Sequence, residues 1–278
     1  MPPPTMGGLT PCHMDLERFV ADFDTAFPPR KRNTPTHLYS FRIKLKIKRF
    51  GFQYCPFEPL RDIDGMIGVK KQRLLNLAYA HLDADEAYLE VGTWQGKSLI
   101  AAMTGNPPRP TFACDDFSEW FVAKGRRLDL EGIVKRNLTR YGLEPRVTFY
   151  REPFQQIFTH EKLPAPIGVY FYDAAHDHAS QYAGVKLAEP FLADEAIVVV
   201  DDWRLAPDSQ SYAKAGTEQA IAESPHDWRL LYELPARFNG DRAMWWNGVA
   251  VYAFRARREA SRRHAAEGLA VVGPRPQA

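Results

Sequence analysis

From Asp64 to about Arg255 the chain alternates between a helical and a strand-like hydrophobic period. Apolar residues near helical spacing, Ile67, Leu74, Leu75, Leu77 and Ala78, predict a helix over Met66–Leu82 that stops before the turn-like Asp83-Ala84-Asp85. Short apolar runs predict strands at Ala87–Val91, Thr111–Cys114, Val147–Tyr150, Ile167–Tyr172 and Ala196–Val200. Helical stretches at Lys97–Met103, Leu128–Tyr141 and Gln181–Leu192 separate most of them, and a further helix is expected near Thr217–Glu223. Two last strands, Trp228–Leu234 and Gly248–Phe254, read as an antiparallel pair. Strands separated by helices at this pace imply right-handed crossovers, hence an α/β, doubly wound, mainly parallel sheet with helices on both faces.

Residues 1–63 break this rhythm. Prolines cluster at 2–4, 11, 28–29 and 35, and no acidic residue falls between Asp24 and Glu58. Eight basic residues do, among them Arg30, Lys31 and Arg32. Arg42–Lys48 alternates strictly and, if extended, puts Ile43, Leu45 and Ile47 on one face and four cations on the other. Such a face suits an anionic substrate or a membrane surface, or it is an edge strand guarded by lysines. The expected organisation is a basic, Pro-rich extension over 1–63 (a lid or an oligomer arm), a catalytic domain over 64–255 and an Arg/Ala-rich tail over 256–278.

Composition narrows the classes. With 45% hydrophobic and 25% charged residues the chain can bury a core, and 36 Lys+Arg against 34 Asp+Glu leave a net charge of only +2. That balance argues against nucleic acid as the partner. Cys12, Cys55 and Cys114 form no C-x-x-C pair, which argues against a disulfide framework or a thiolate zinc site and fits a reducing cytoplasm. The longest aliphatic run, Ile197–Val200, is far short of a membrane span, and no secretory h-region follows Met1.

In doubly wound sheets, ligands bind outside the carboxyl ends of the strands. Here those ends read Glu90-Val-Gly92-Thr93-Trp94-Gln95-Gly96, Asp115-Asp116, Arg151-Glu152, Asp173-Ala-Ala-His176-Asp-His178 and Asp201-Asp202-Trp203. Almost every strand delivers an acid to one rim, which a core does not require. Gly92–Ser98 looks in part like a phosphate-binding P-loop, yet it has three residues where that loop needs four. An acid followed by Gly-x-x-x-Gly better suits a ligand with a cationic amino-acid end and a nucleoside. Gly92 and Gly96 would allow close backbone approach, Glu90 would sit near the positive charge, and Asp115 would accept the ribose hydroxyls. Phe117 or Trp120 would stack on the base.

Tyr88–Ser98 resembles the first motif of the class I S-adenosylmethionine-dependent methyltransferases. Phe171–His178 together with Ala196–Trp203 resembles the I-D-G-x-H-x-Y … V-V-x-D-D pattern of their small-molecule O-methyltransferase branch. The resemblance covers about residues 64–254 and implies a seven-stranded, Rossmann-like sheet ending in an antiparallel hairpin. It implies S-adenosylmethionine as cofactor, held by Glu90, Gly92, Thr93, Gly96 and Asp115, with Glu152 near the adenine. Asp173, Asp201 and Asp202 are candidates to converge on a hard cation such as Mg²⁺, which in the metal-dependent branch binds the acceptor hydroxyl. The structural alternative is that Asp201-Asp202 caps a following segment and Asp173 pairs with a lysine. His176 or His178 would serve as general base, His176 matching the motif. Trp245-Trp246-Asn247 and Trp203 would wall an acceptor pocket or belong to the core. The expected activity is methyl transfer to a hydroxyl of a small molecule. The competing expectations are a P-loop-like phosphotransferase and a non-catalytic scaffold on the same fold.

Overall fold

The computed structural model describes residues 14–36, 58–118, 122–123, 126–203 and 213–257. The alternating Arg42–Lys48 stretch, Trp120 and the tail beyond 257 lie outside the described residues. Seven strands form one sheet: β1 (Ala87–Val91), β2 (Thr111–Cys114), β3 (Thr148–Tyr150), β4 (Ile167–Tyr172), β5 (Leu192–Asp201), β6 (Asp227–Leu234) and β7 (Val249–Arg255). Their order across the sheet is β3-β2-β1-β4-β5-β7-β6. The first five pair in parallel, and β7 runs antiparallel to both β5 and β6. Chain order reverses between β1 and β4, and that switch point is where a doubly wound sheet opens a crevice.

The central strands are apolar throughout because both faces are covered. Tyr88, Phe171, Val199 and Val251 pack on one face, while Leu89, Tyr170, Tyr172 and Val198 pack on the other. The first face carries α1 (Leu16–Ala26), α3 (Val69–Ala80), α4 (Lys97–Met103) and α5 (Leu130–Arg140); the second carries α6 (His178–Ala188) and α7 (Ala213–Ala222). Three helix starts are set by short polar side chains. Asp15 accepts from the Arg18 N–H, Asp129 from Gly132 and Asp177 from Ser180, so an orphan amide in each first turn is satisfied. A short α2 (Pro29–Arg32) follows α1.

The helix α1 lies inside the segment that composition marks as a basic, Pro-rich extension. It is amphipathic, with Leu16, Phe19 and Phe23 buried, and it lies in the same core as the sheet. The Phe23 ring stacks on Tyr232 of β6 at 4.1 Å. Lys70 then fastens the segment after α1: its buried ammonium donates to the carbonyls of Lys31, Arg32 and Thr34 at 2.7–3.0 Å. Among the described residues no helix is long and apolar enough to cross a membrane.

Candidate active site

A cavity of about 460 Å³ opens at the carboxyl ends of β1, β2, β4 and β5. Gly92, Thr93 and Asp115 line it on one side, and Asp173, His176, Asp202 and Asn247 on the other. Four non-glycine residues have positive φ among the described residues, namely Trp94, Phe117, Asp202 and Trp246, and all four border this cavity. Backbone strain of this kind persists where surrounding structure enforces it, typically at functional sites.

The β1–α4 turn is built around two requirements. Gly92 has φ +87°, and a Cβ there would lie 1.9 Å from the Asp173 carbonyl oxygen, so β1 can approach the end of β4 only through glycine. Thr93 and Trp94 both donate their amides to Asp115 Oδ2, at 2.9 and 2.8 Å, and Phe117 donates to Oδ1. Asp115 therefore holds the turn in shape while facing the cavity. The same contacts count against the P-loop alternative, because two amides that would cradle a phosphate are already given to a carboxylate.

Glu90 does not border the cavity. It lies beneath the floor at 0% exposure, accepting from Tyr88 Oη and from Ser98 Oγ, each at 2.8 Å. Burial pushes its carboxyl up to about 8, with the Ser98 and Tyr88 hydrogen bonds opposing that rise. Ser98, in the first turn of α4, is the group through which Glu90 meets the cavity. Glu152 borders the cavity, but Lys162 holds both its oxygens at 2.6 Å. Phe117 borders it too and stacks on Phe149 at 5.8 Å. Cys114 also borders the cavity, yet it is buried and burial pushes its thiol up, so it is no thiolate nucleophile.

Asp173, Asp201 and Asp202 stand together, as the strand ends suggest, but two of the three are engaged by donors of this chain. Lys71 of α3, a residue not singled out from the sequence, donates its ammonium to Asp201 Oδ1. The two side chains are 0% and 2% exposed. The same oxygen accepts the Asp202 amide at 2.7 Å. Asp202 accepts from Asn247 Nδ2 at 2.6 Å on Oδ1, and its Oδ2 lies 2.7 Å from His176 Nε2. Donors thus occupy Asp201 Oδ1 and both oxygens of Asp202, and among the described residues no group of three His, Cys, Asp or Glu is arranged to hold a metal. Burial opposes the charge of Asp202, but His176, Lys71 and Asn247 together hold its carboxyl down to about 2. Burial and the charges of Asp201 and Asp202 push Asp173 well above the usual carboxylate range.

The two histidines part company. His176 borders the cavity, whereas His178 begins α6 and does not. The aromatic expectations divide in the same way. Trp246 and Asn247 line the cavity, while Trp245 and Trp203 are fully buried core. The Trp245 indole donates to the Arg32 carbonyl and that of Trp203 to Glu233.

A family described as a methyltransferase domain matches residues 89–203. No curated protein matches the sequence. Among solved structures, the chain is similar to the O-methyltransferase TomG from Streptomyces achromogenes, involved in tomaymycin synthesis and solved in complex with SAM. The two share 18% identity with a TM-score of 0.52, over 80% of this chain and 99% of that one. It is also similar to a cofactor-bound protein from MTB, at 20% identity and a TM-score of 0.51, over 81% of this chain and 99% of that one. At these identities the likeness concerns the fold. Residues 89–203 thus match a methyltransferase domain, and they lie inside a seven-stranded sheet of the order β3-β2-β1-β4-β5-β7-β6.

Proposed function

We propose that this chain transfers a methyl group from S-adenosylmethionine to a hydroxyl of a small molecule, with His176 as general base. The observation that carries the reading is the His176–Asp202 contact of 2.7 Å on the wall of the cavity that the Gly92–Gly96 turn also lines. Asp202 is held ionised, so it can orient the imidazole and stabilise the imidazolium that forms when the acceptor loses its proton. An alcohol or phenol becomes a competent nucleophile only as its proton leaves, which is the chemistry a histidine–aspartate pair supplies.

The cofactor fits the other half of the cavity. Gly92 removes the side chain that would block the strand end, Thr93 and Gly96 shape the turn, and Asp115 presents carboxylate acceptor capacity beside it. Ser98, backed by Glu90, offers a polar contact for a cationic amino group. Phe117 offers a ring to the base, and Glu152 with Lys162 closes the rim. When bound, S-adenosylmethionine supplies an electrophilic methyl group on a sulfonium sulfur. The residues of this chain hold the two reactants in line and exclude water. Mg²⁺ has no part in this reading, because Asp201 and Asp202 are engaged by this chain's own donors. The similarity to TomG, an O-methyltransferase bound to SAM, supports the acceptor type.

Calorimetric titration with S-adenosylhomocysteine tests the reading. Saturable one-to-one binding is expected, and no binding would remove it. With an acceptor found among phenols, sugars and polyketides, His176→Ala is expected to lower kcat by about 10²–10⁴ while leaving S-adenosylhomocysteine affinity within about twofold. Equal losses in both would instead mean that His176 only supports the cavity.

A further inference from the structure

Lys71 is the deepest cation of the site. Its side chain is fully covered by protein and its ammonium meets Asp201 at the end of β5. A lysine this deep is tolerated only when paired, since an isolated buried ammonium is costly. The corner it enters holds three carboxylates from two strand ends, and like charges so placed repel one another. A divalent ion is one remedy for such an oxygen cluster. Here a cation arrives by a different route, on a helix of the chain itself.

We propose that the Lys71 ammonium takes the place and the charge role of a divalent cation, so that the Asp173/Asp201/Asp202 corner is balanced from within and the site works without a bound metal. The methyl-transfer role of the corner rests on the function proposed above; its occupancy by Lys71 does not. Lys71 acts as a positioning residue. It holds Asp201, Asp201 accepts the Asp202 amide at 2.7 Å, and Asp202 in turn faces His176.

Two observations converge. The first is the use of lone pairs: Asp201 Oδ1 serves Lys71 and the Asp202 amide, and both oxygens of Asp202 serve Asn247 and His176. A metal bound through Asp201 Oδ1 or through either oxygen of Asp202 would have to displace a donor. The second is the rigidity of the helix that brings the ammonium. Lys70 is tied to three carbonyls, and a Cβ at Gly68 would stand 3.0 Å from the Arg242 carbonyl oxygen, so the start of α3 is clamped on both sides. The backbone that carries Lys71 cannot shift without breaking those ties.

The probe is Mn²⁺, followed by electron paramagnetic resonance on the full-length chain, with S-adenosylhomocysteine binding measured separately by calorimetry. Failure of the cofactor reading and failure of this one therefore appear in different signals. Wild-type protein is expected to take up Mn²⁺ no better than Asp202→Asn does. Lys71→Ala, which removes the ammonium and opens its space, is expected to bind one Mn²⁺ per chain at least roughly tenfold more tightly than wild type. Uptake of one Mn²⁺ by wild type that Asp202→Asn abolishes overturns the proposal. A folded Lys71→Ala with unchanged Mn²⁺ affinity overturns it as well. If Lys71→Ala fails to fold, the wild-type titration needs no such variant and still decides.

Discussion

Glu90 keeps its proton at neutral pH because burial pushes its carboxyl up to about 8, whereas in an unfolded chain it titrates near its ordinary value of 4.5. Between those two values the folded state holds a proton that the unfolded state has lost. Stability from this group is therefore lost as pH rises from about 4.5 towards 8, and levels off above. Glu90→Gln keeps both hydroxyl partners and removes the titration. Wild type is expected to lose stability relative to this variant by a few kcal/mol, on the order set by the shift, between about pH 5.5 and about pH 8.5. Urea denaturation at both pH values measures it, and parallel pH trends for the two proteins would refute the assignment. At the residue scale the sequence marks Glu90, Asp115, Asp173, Asp201, Asp202 and His176 as polar groups at strand ends. It does not say which of them meet the cavity. Strand alternation tells the face on which Glu90 lies, but Ser98 and the turn above it decide that it is covered.

Among the elements, the β1–α4 turn carries the sharpest demand on residue type. Gly92 and Gly96 both have positive φ, yet their surroundings differ. A Cβ at Gly92 collides with Asp173 backbone, while one at Gly96 meets only side chains at 3.6 Å or more. Gly96→Ala is expected to cost about 1–2 kcal/mol, the price of a left-handed conformation for an alanine. Gly92→Ala is expected to cost more, about 3 kcal/mol or above, and to weaken S-adenosylhomocysteine binding, because β1 and β4 must separate at the cavity floor. Chemical denaturation of both variants checks the ranking, and equal costs would argue against the close approach. The strands predicted from apolar runs appear within a few residues of their expected ends, β5 excepted, which starts four residues earlier at Leu192. The helix α1 escaped because Pro-rich and basic flanks dominate the composition of its region, although Leu16, Phe19 and Phe23 are spaced for one helical face. In α3, buried Lys70, Lys71, Gln72 and Asn76 blur the apolar pattern that usually identifies a packed helix.

The whole molecule joins its N-terminal segment to the site from behind. Phe23 stacks on Tyr232, Trp245 donates to Arg32, and Thr36 donates to Ala243 just before the cavity-lining Trp246. Phe23→Ala should cost about 3–5 kcal/mol, since the ring is fully buried and leaves a cavity the sheet cannot fill. Thermal or urea unfolding measures that loss, and a cost below about 1 kcal/mol would mean that α1 is dispensable to the core. The sequence by itself determined the parallel sheet with its closing hairpin, the acids at the strand ends and the methyltransferase motif, because hydrophobic period and motif spacing are local properties of the chain. The tertiary structure alone decided what those acids are for. Lys71 and Asp201 stand 130 positions apart, and Asn247 and Asp202 stand 45 apart. Whether a carboxylate binds a metal, orients a histidine or keeps its proton depends on such distant partners and on burial, and both come into being only when the chain closes on itself.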